Sequence, residues 1–352
     1  MRSIHKYVNA GKIICGLLFF LLTLLASTGA RAQAGAGMKL GSNYAAYEDS
    51  IKKSNYKWVF PVWGKRLSKK GFDLQYPFGI MVNSFTGSQK IVISDLKVGF
   101  NSLAPVPLDF VKFGTVKAVA QSVSLRPDIW IFPFMDIYGI GGPIWTKTEV
   151  QVVEPFTFNT SASFHGYTVG IGTTLAGGYH GIITIIDLNH TWTTLNKIQG
   201  SVQATMFTPR VGFNYLFRDR PGKNVAIWVG APGTFVNHGT QGSLDIGQIT
   251  GNAARSDLEN IINGSAPWYQ PLSPAQKLVV KDIAQKMLDK LNGVTPVEGV
   301  ISYSLNKRPQ ATWSMCAGGQ FQLNHHWQFR TEANFFGGRS SVLLSGNYRW
   351  RW

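Results

Sequence analysis

The chain of 352 residues carries 34 Lys and Arg against 18 Asp and Glu, a formal charge of +16, with 38 Gly, 22 Phe, 12 Tyr and 11 Trp. After residue 32 no apolar run approaches the 18 residues a membrane-spanning helix needs, which excludes a helical membrane protein once the leader is gone. Aromatic-rich, glycine-rich and charge-poor sequence of this kind fits a secreted β-sandwich or a membrane β-barrel, and periodicity decides between them.

The first residues follow the pattern of a secretory signal. Basic Arg2, Lys6 and Lys12 precede an apolar run over residues 13–26, and small residues follow. Ala30-Arg31-Ala32 supplies an A-x-A cleavage site, with Ala32-Gln33-Ala34 a second, so residues 1–32 are expected to be removed. Cys15 opens the apolar run instead of closing it, which argues against a lipoprotein. Loss of Arg2, Lys6, Lys12 and Arg31 leaves 30 basic residues against 18 acidic ones, a charge of +12, and leaves Cys316 with no partner for an internal disulfide. Residues 33–77 read as a basic N-terminal segment on the periplasmic side. Its stretch 50–70 holds seven Lys or Arg and no acid, as a solvated leader or as a contact for inner-leaflet phosphates.

Strand readings begin at residue 78, near 78–85, 91–101, 115–125, 128–140 and 144–153, with turns expected at Pro127-Asp128 and at Gly141-Gly142-Pro143. The segment 167–179 alternates strictly: Tyr167, Val169, Ile171, Thr173, Leu175 and Tyr179 on one face, small or polar residues on the other. Twelve steps separate its two tyrosines, roughly 40 Å of extended strand and roughly 30 Å across a bilayer at a tilt of about 40°. Tyr167 and Tyr179 are therefore the expected interface anchors. Further strands are placed near 181–193, 201–217 and 224–236, and three clear ones close the chain at 311–322, 326–335 and 342–352.

Residues 240–297 break this pattern. Ser273-Pro274-Ala275-Gln276 reads as an N-cap, a proline at the first helical position and a capping-box glutamine; Leu278, Ile283, Met287, Leu288 and Leu291 follow at helical spacing, and Asn292-Gly293 ends the helix. A shorter helix is expected from Ser256 with Glu259. The expected fold is all-β: residues 78–352 form a transmembrane antiparallel up-and-down barrel of about 12 strands with a small α-helical insertion, placed outside the cell by that even count. If Gly242 to Gln248 and Gly299 to Leu305 are also strands, the count is about 14 and the insertion becomes periplasmic.

The chain closes on Tyr348-Arg349-Trp350-Arg351-Trp352. It resembles Gram-negative outer-membrane barrels, whose last strand ends in an aromatic residue after alternating apolar ones. Val342, Leu344, Tyr348, Trp350 and Trp352 fit that assembly signal, with Trp in place of the more frequent Phe. The resemblance implies recognition by the barrel-assembly machinery. Residues 128–142, Thr208-Pro-Arg-Val-Gly-Phe213 and the block 327–339 also resemble an uncharacterised, porin-like group of outer-membrane barrels, which carries no activity over.

No catalytic or metal constellation emerges. Ser163 and His165, with Ser161 nearby, lack a carboxamide partner of the outer-membrane phospholipase kind; His190 reads as an interfacial residue beside Trp192; and His325-His326 points its side chains to opposite faces. No cofactor is expected, no enzyme activity and no nucleic-acid partner, since lipid and lipopolysaccharide phosphates account for the basic charge. Alternation turns Asp136, Asp187, Arg210, Arg330, Glu332, Arg349 and Arg351 inward, as a paired plug or as a charge-selecting pore lining. The functional expectation is a porin-like channel for small solutes with an anion preference from the extra arginine. The alternatives are a non-conducting structural or surface-interaction barrel and an outer-membrane lipid-modifying enzyme.

Overall fold

The computed structural model describes residues 42–351 apart from 102, 156, 218–219, 238 and 247–252. The signal peptide, residues 33–41 and the terminal Trp352 of the assembly signal lie outside the described residues. In chain order the helices are α1 (Ser42–Lys53), α2 (Gly64–Ser68), α3 (Arg255–Ile262) and α4 (Pro274–Leu291). The strands are β1 (Phe78–Phe100), β2 (Val106–Pro107), β3 (Lys112–Phe132), β4 (Met135–Glu154), β5 (Phe158–Tyr179), β6 (Ile182–Leu195), β7 (Ile198–Gln199), β8 (Ser201–Leu216), β9 (Asn224–Gly230), β10 (Gly233–Val236), β11 (Gly239–Asp245), β12 (Val300–Pro309), β13 (Met315–Gln322), β14 (Trp327–Phe335) and β15 (Arg339–Trp350). No helix among the described residues is long and apolar enough to cross a membrane.

Ten strands close a ring, in the order β1, β3, β4, β5, β6, β8, β9, β13, β14, β15 and back to β1, every pairing antiparallel. The expectation of about 12 strands, and its alternative of 14, are corrected to ten. Five segments read over residues 78–153 are three strands, because Pro127-Asp128 and Gly141-Gly142-Pro143 lie inside β3 and β4, and β1 runs unbroken from Phe78 to Phe100. Pro127 is tolerated there because its missing donor affects one ladder only: β3 stays paired to β1 through Ile80 and Pro127, while the β3–β4 register skips from Leu125–Gly141 to Asp128–Tyr138. The true turn between them is Phe132 to Met135. These strands run 20 to 23 residues, about twice what a bilayer requires.

The surplus length builds a collar at the end opposite the start of β1 and the end of β15. The outer half of β1, from Ile91 to Phe100, pairs with β12; β12 pairs with β11; and β11 bonds β7 at the β6–β8 connection. The two segments that would have raised the count to 14 are thus strands, but they extend the collar instead of entering the ring. The helical insertion follows β11 and sits on this collar. Val279 of α4 is buried with Val98, Phe100, Leu108, Ile246, Val297 and Ile301, and Ala284 with Leu258 and Ile261 of α3. Ser273 caps α4 with the full capping box and Gly293 takes φ 84° just past its end, as the sequence signals. Two details are corrected. α3 has Ala254 at its N-cap, with no side-chain bond from Ser256. The buried face of α4 is centred on Val279 and Ala284, leaving Leu278 48% and Leu291 46% exposed.

Candidate functional site: the barrel wall, lumen and floor

Alternation sorts the wall into two surfaces of opposite chemistry. Outward positions of the ten ring strands between the two rims read Phe, Ile, Val, Leu, Tyr, Trp, Met, Thr, Ser, Pro, Gly, Ala, one Gln in each of β3 and β8, and His165 and His190, with no Asp, Glu, Lys or Arg among them. Tyr167 is 66% exposed and Ile171 55%, although both are large and apolar. Val342, Leu344 and Tyr348 point outward in the same way, and Trp350 stacks against Phe78 and Tyr348 where β15 closes on β1. His190 is on this face against Trp192, its Nδ1 2.8 Å from Thr205 Oγ1.

The inward surface concentrates charge. Glu332 accepts from Arg210 Nε at 2.7 Å and from its second guanidinium nitrogen at 2.9 Å, from Trp228 Nε1 at 2.9 Å and from Arg330 at 3.0 Å. Arg126 pairs with Asp136 at 2.9 Å, donates to Thr174 at 3.2 Å and lies over the Tyr138 ring. Tyr138 and Thr174 both donate to Asp187, at 2.9 and 2.8 Å. Arg349 pairs with Asp128 at 2.7 Å. This last pair reaches across β1 at Gly79, where a Cβ would come within 2.6 Å of Asp128 and 2.8 Å of Arg349. Gly172 has the same purpose beside Tyr138, whose ring occupies the space a Cβ would take.

Six of the seven expected lumen residues, Asp136, Asp187, Arg210, Arg330, Glu332 and Arg349, belong to this inward surface. Arg351 is corrected: it follows the last strand, is exposed, and lies over the rings of Trp58 and Tyr76 below the barrel. Arg126 and Asp128 were missed because they flank a proline that reads as a turn. With them the inward charges of this network are four arginines and four acids, so the anion preference drawn from an extra arginine loses its basis. Arg339 stands apart at the far rim, donating to Thr234 at 2.6 Å.

Below the paired charges lies a cavity of about 200 Å³ with an uncharged wall of Trp130, Ile183, Asn214, Leu216, Trp228 and Gln320. Its floor is the N-terminal segment, through Pro61, Asp73, Leu74 and Gln75. The reading of this segment as a solvated leader is corrected accordingly. Val62 N–H donates to Ile131 O at 2.7 Å, Trp63 packs on Phe132 and Phe134, and Arg349 Nε donates to Tyr76 O at 2.8 Å. His325 bonds Asp73 at 2.8 Å and faces Tyr47 Oη at 3.3 Å.

That histidine is held above its ordinary pKa, chiefly by the Asp73 hydrogen bond, with burial opposing. A raised histidine contributes docking stability that is complete below the unfolded value of about 6.5 and lost as pH rises through the folded value. Protease cleavage within residues 42–77 is therefore expected to accelerate from pH 6 to pH 9, and Asp73→Asn to abolish the pH dependence. Equal cleavage at both pH values in the native chain would contradict the tether.

Among the described residues, the catalytic and metal candidates read from the sequence are not brought together. Ser163 and His165 are exposed on the outer wall, and Asn196 Oδ1 accepts from the backbone N–H of His165, so the carboxamide is not engaged with the imidazole. His326 bonds Arg349 O, and no group of three or more His, Cys, Asp or Glu is placed to hold a metal among the described residues.

No protein-family model matches the chain, and no curated protein matches it. Among solved structures it is similar to the β domain of the Bordetella autotransporter BrkA, at 7% identity and a TM-score of 0.35 over 78% of this chain and all of that one. OprG from Pseudomonas aeruginosa gives 11% and 0.35 over 79% and 98%. The translocator domain of NalP from Neisseria meningitidis gives 8% and 0.33 over 87% and 93%. With scores this low, the functional reading rests on the chain's own residues.

Proposed function

We propose that this chain is an integral outer-membrane β-barrel that admits small uncharged solutes and rests in a closed state. The charge-free outward belt carries the membrane placement: each Arg or Lys at the midplane of such a wall costs about 2 to 4 kcal/mol, and none is present. The closed state is supported by charged side chains buried inside a ring of only ten strands, paired between neighbouring and near-neighbouring strands, a size between filled and water-conducting barrels. The solute class follows from the indole, amide and aliphatic wall of the cavity beneath, whose titratable lining residues, Asp73 and His325, are paired with each other at 2.8 Å. Side-chain contacts and two backbone hydrogen bonds to β3, Val62 N–H to Ile131 O and Trp130 N–H to Pro77 O, hold the floor, outside the ring's ladders, which makes it the element that moves.

In planar bilayers the full chain is expected to be closed most of the time, with brief openings. Asp73→Asn combined with Arg351→Ala, which releases both sides of the floor, should lengthen the openings and accelerate swelling of vesicles in a neutral sugar. A large constant conductance in the native chain would contradict the closed lumen. Silence in both proteins would favour the second reading, a non-conducting surface-interaction barrel, whose support is the paired network together with the helical cap.

A further inference from the structure

The N-terminal segment has an unmatched surface as well as a docked one. Lys57, Lys65, Arg66, Lys69 and Lys70 are all exposed and form no ion pair among the described residues, whereas Lys52 nearby is paired to Glu48 and Asp49. No acid lies between residues 50 and 72. Amid these cations stand Val59, 78% exposed, and Trp63, 51% exposed, with Val62 between them. Five cations in this stretch, interleaved with apolar side chains whose exposure to water is unfavourable, match an interface that is apolar on one side and anionic on the other.

The fold puts this patch at the edge of the lipid-facing wall. Trp63 packs on Phe132 and Phe134 of the β3–β4 turn, and Phe134 O accepts from Ala176 N–H, three residues before the rim tyrosine Tyr179. An indole at that height lies at headgroup level, where amphipathic rings are favoured. We infer that residues 57–70 form a binding surface for the phosphates of anionic phospholipid in the leaflet nearest the chain termini, with Trp63 as its apolar anchor. The inference rests on the membrane placement proposed above. It also joins lipid to floor, since Pro61 lines the cavity and Val62 bonds β3 within the same stretch.

The test uses the full folded chain in vesicles of phosphatidylcholine alone or mixed with phosphatidylglycerol, followed by gentle detergent extraction and mass spectrometry of the retained lipid. The native protein should retain phosphatidylglycerol above its bulk share, less so in high salt. Changing Lys57, Lys65, Arg66, Lys69 and Lys70 to Gln should cut that enrichment by about ten-fold or more, and changing Lys90, Lys112, Lys147, Lys281 and Lys286 to Gln, at the other end, should leave it intact. Should the first variant not fold, the salt dependence of the native protein decides. Insertion into both vesicles without lipid preference, or a preference that both variants keep, overturns the proposal. Displacement of the lipid by a soluble polyanion that binds more tightly would assign the patch to an acidic partner instead. Failure to insert into either vesicle would count against the membrane placement itself.

Discussion

Ile171→Arg is expected to prevent stable insertion, lowering folded yield in lipid vesicles by an amount equivalent to about 2 to 4 kcal/mol. Ile171 lies between the outward tyrosines of β5, one outward position from their midpoint at Thr173, where an arginine has neither partner nor water. The control is Gln320→Lys, which places a charge at the wall of the lumen cavity and should leave yield near that of the native chain. The neighbour Gly172 is unsuitable as that control, since any side chain there meets the Tyr138 ring. Equal loss from Ile171→Arg and Gln320→Lys would mean that the two surfaces do not differ in solvent.

Glu332→Ala is the second large effect. It removes the acceptor shared by Arg210, Arg330 and Trp228 and leaves one buried and one part-buried guanidinium group without their carboxylate. Breaking one partner of a buried pair costs about 3 to 5 kcal/mol. Replacing Glu332 and Arg210 together with Gln and Met should recover much of this, because the uncompensated charge is reduced. Urea unfolding of the barrel in vesicles measures both. A single Glu332→Ala within about 1 kcal/mol of the native chain would show that water already screens the network.

The apolar outward wall was legible because its signal is one of parity. On β14, and on β5 between Tyr167 and Tyr179, each outward residue is apolar or small and each inward one is polar or small; β15 follows the same rule except at inward Leu343, and one slip in register would have turned Arg349 or Glu332 outward. Strand ends were illegible for a related reason. Parity continues through a proline or a glycine pair, so Pro127 and Gly141-Gly142 looked like punctuation although the register of their neighbours never changes. Extending parity across Pro127 would have put Arg126 and Asp128 on the inward face with Asp136.

At the other extreme, Arg351 keeps the right parity but lies past the end of the ladder, where parity no longer sets direction. The floor escaped notice because its cations dominate the composition of residues 50–70, while the informative residues are Tyr56, Trp58, Trp63 and Tyr76, aromatics with no periodicity of their own. The buried face of α4 had a readable signal in the doublets Val279-Val280, Ile283-Ala284 and Met287-Leu288, repeated every four residues; a stripe drawn through Leu278 and Leu291 departs from it.

Ten strands, with both ring termini at one end, place the insertion between β9 and β13 at the other. Lys281→Cys puts an exposed thiol on α4, against a background in which Cys316 is fully buried. In intact Gram-negative cells an impermeant thiol reagent is predicted to label this position without permeabilisation, as an outer-membrane barrel with a periplasmic floor and an external cap requires. Labelling only after the outer membrane is breached, or equal labelling in the soluble fraction, would contradict the account.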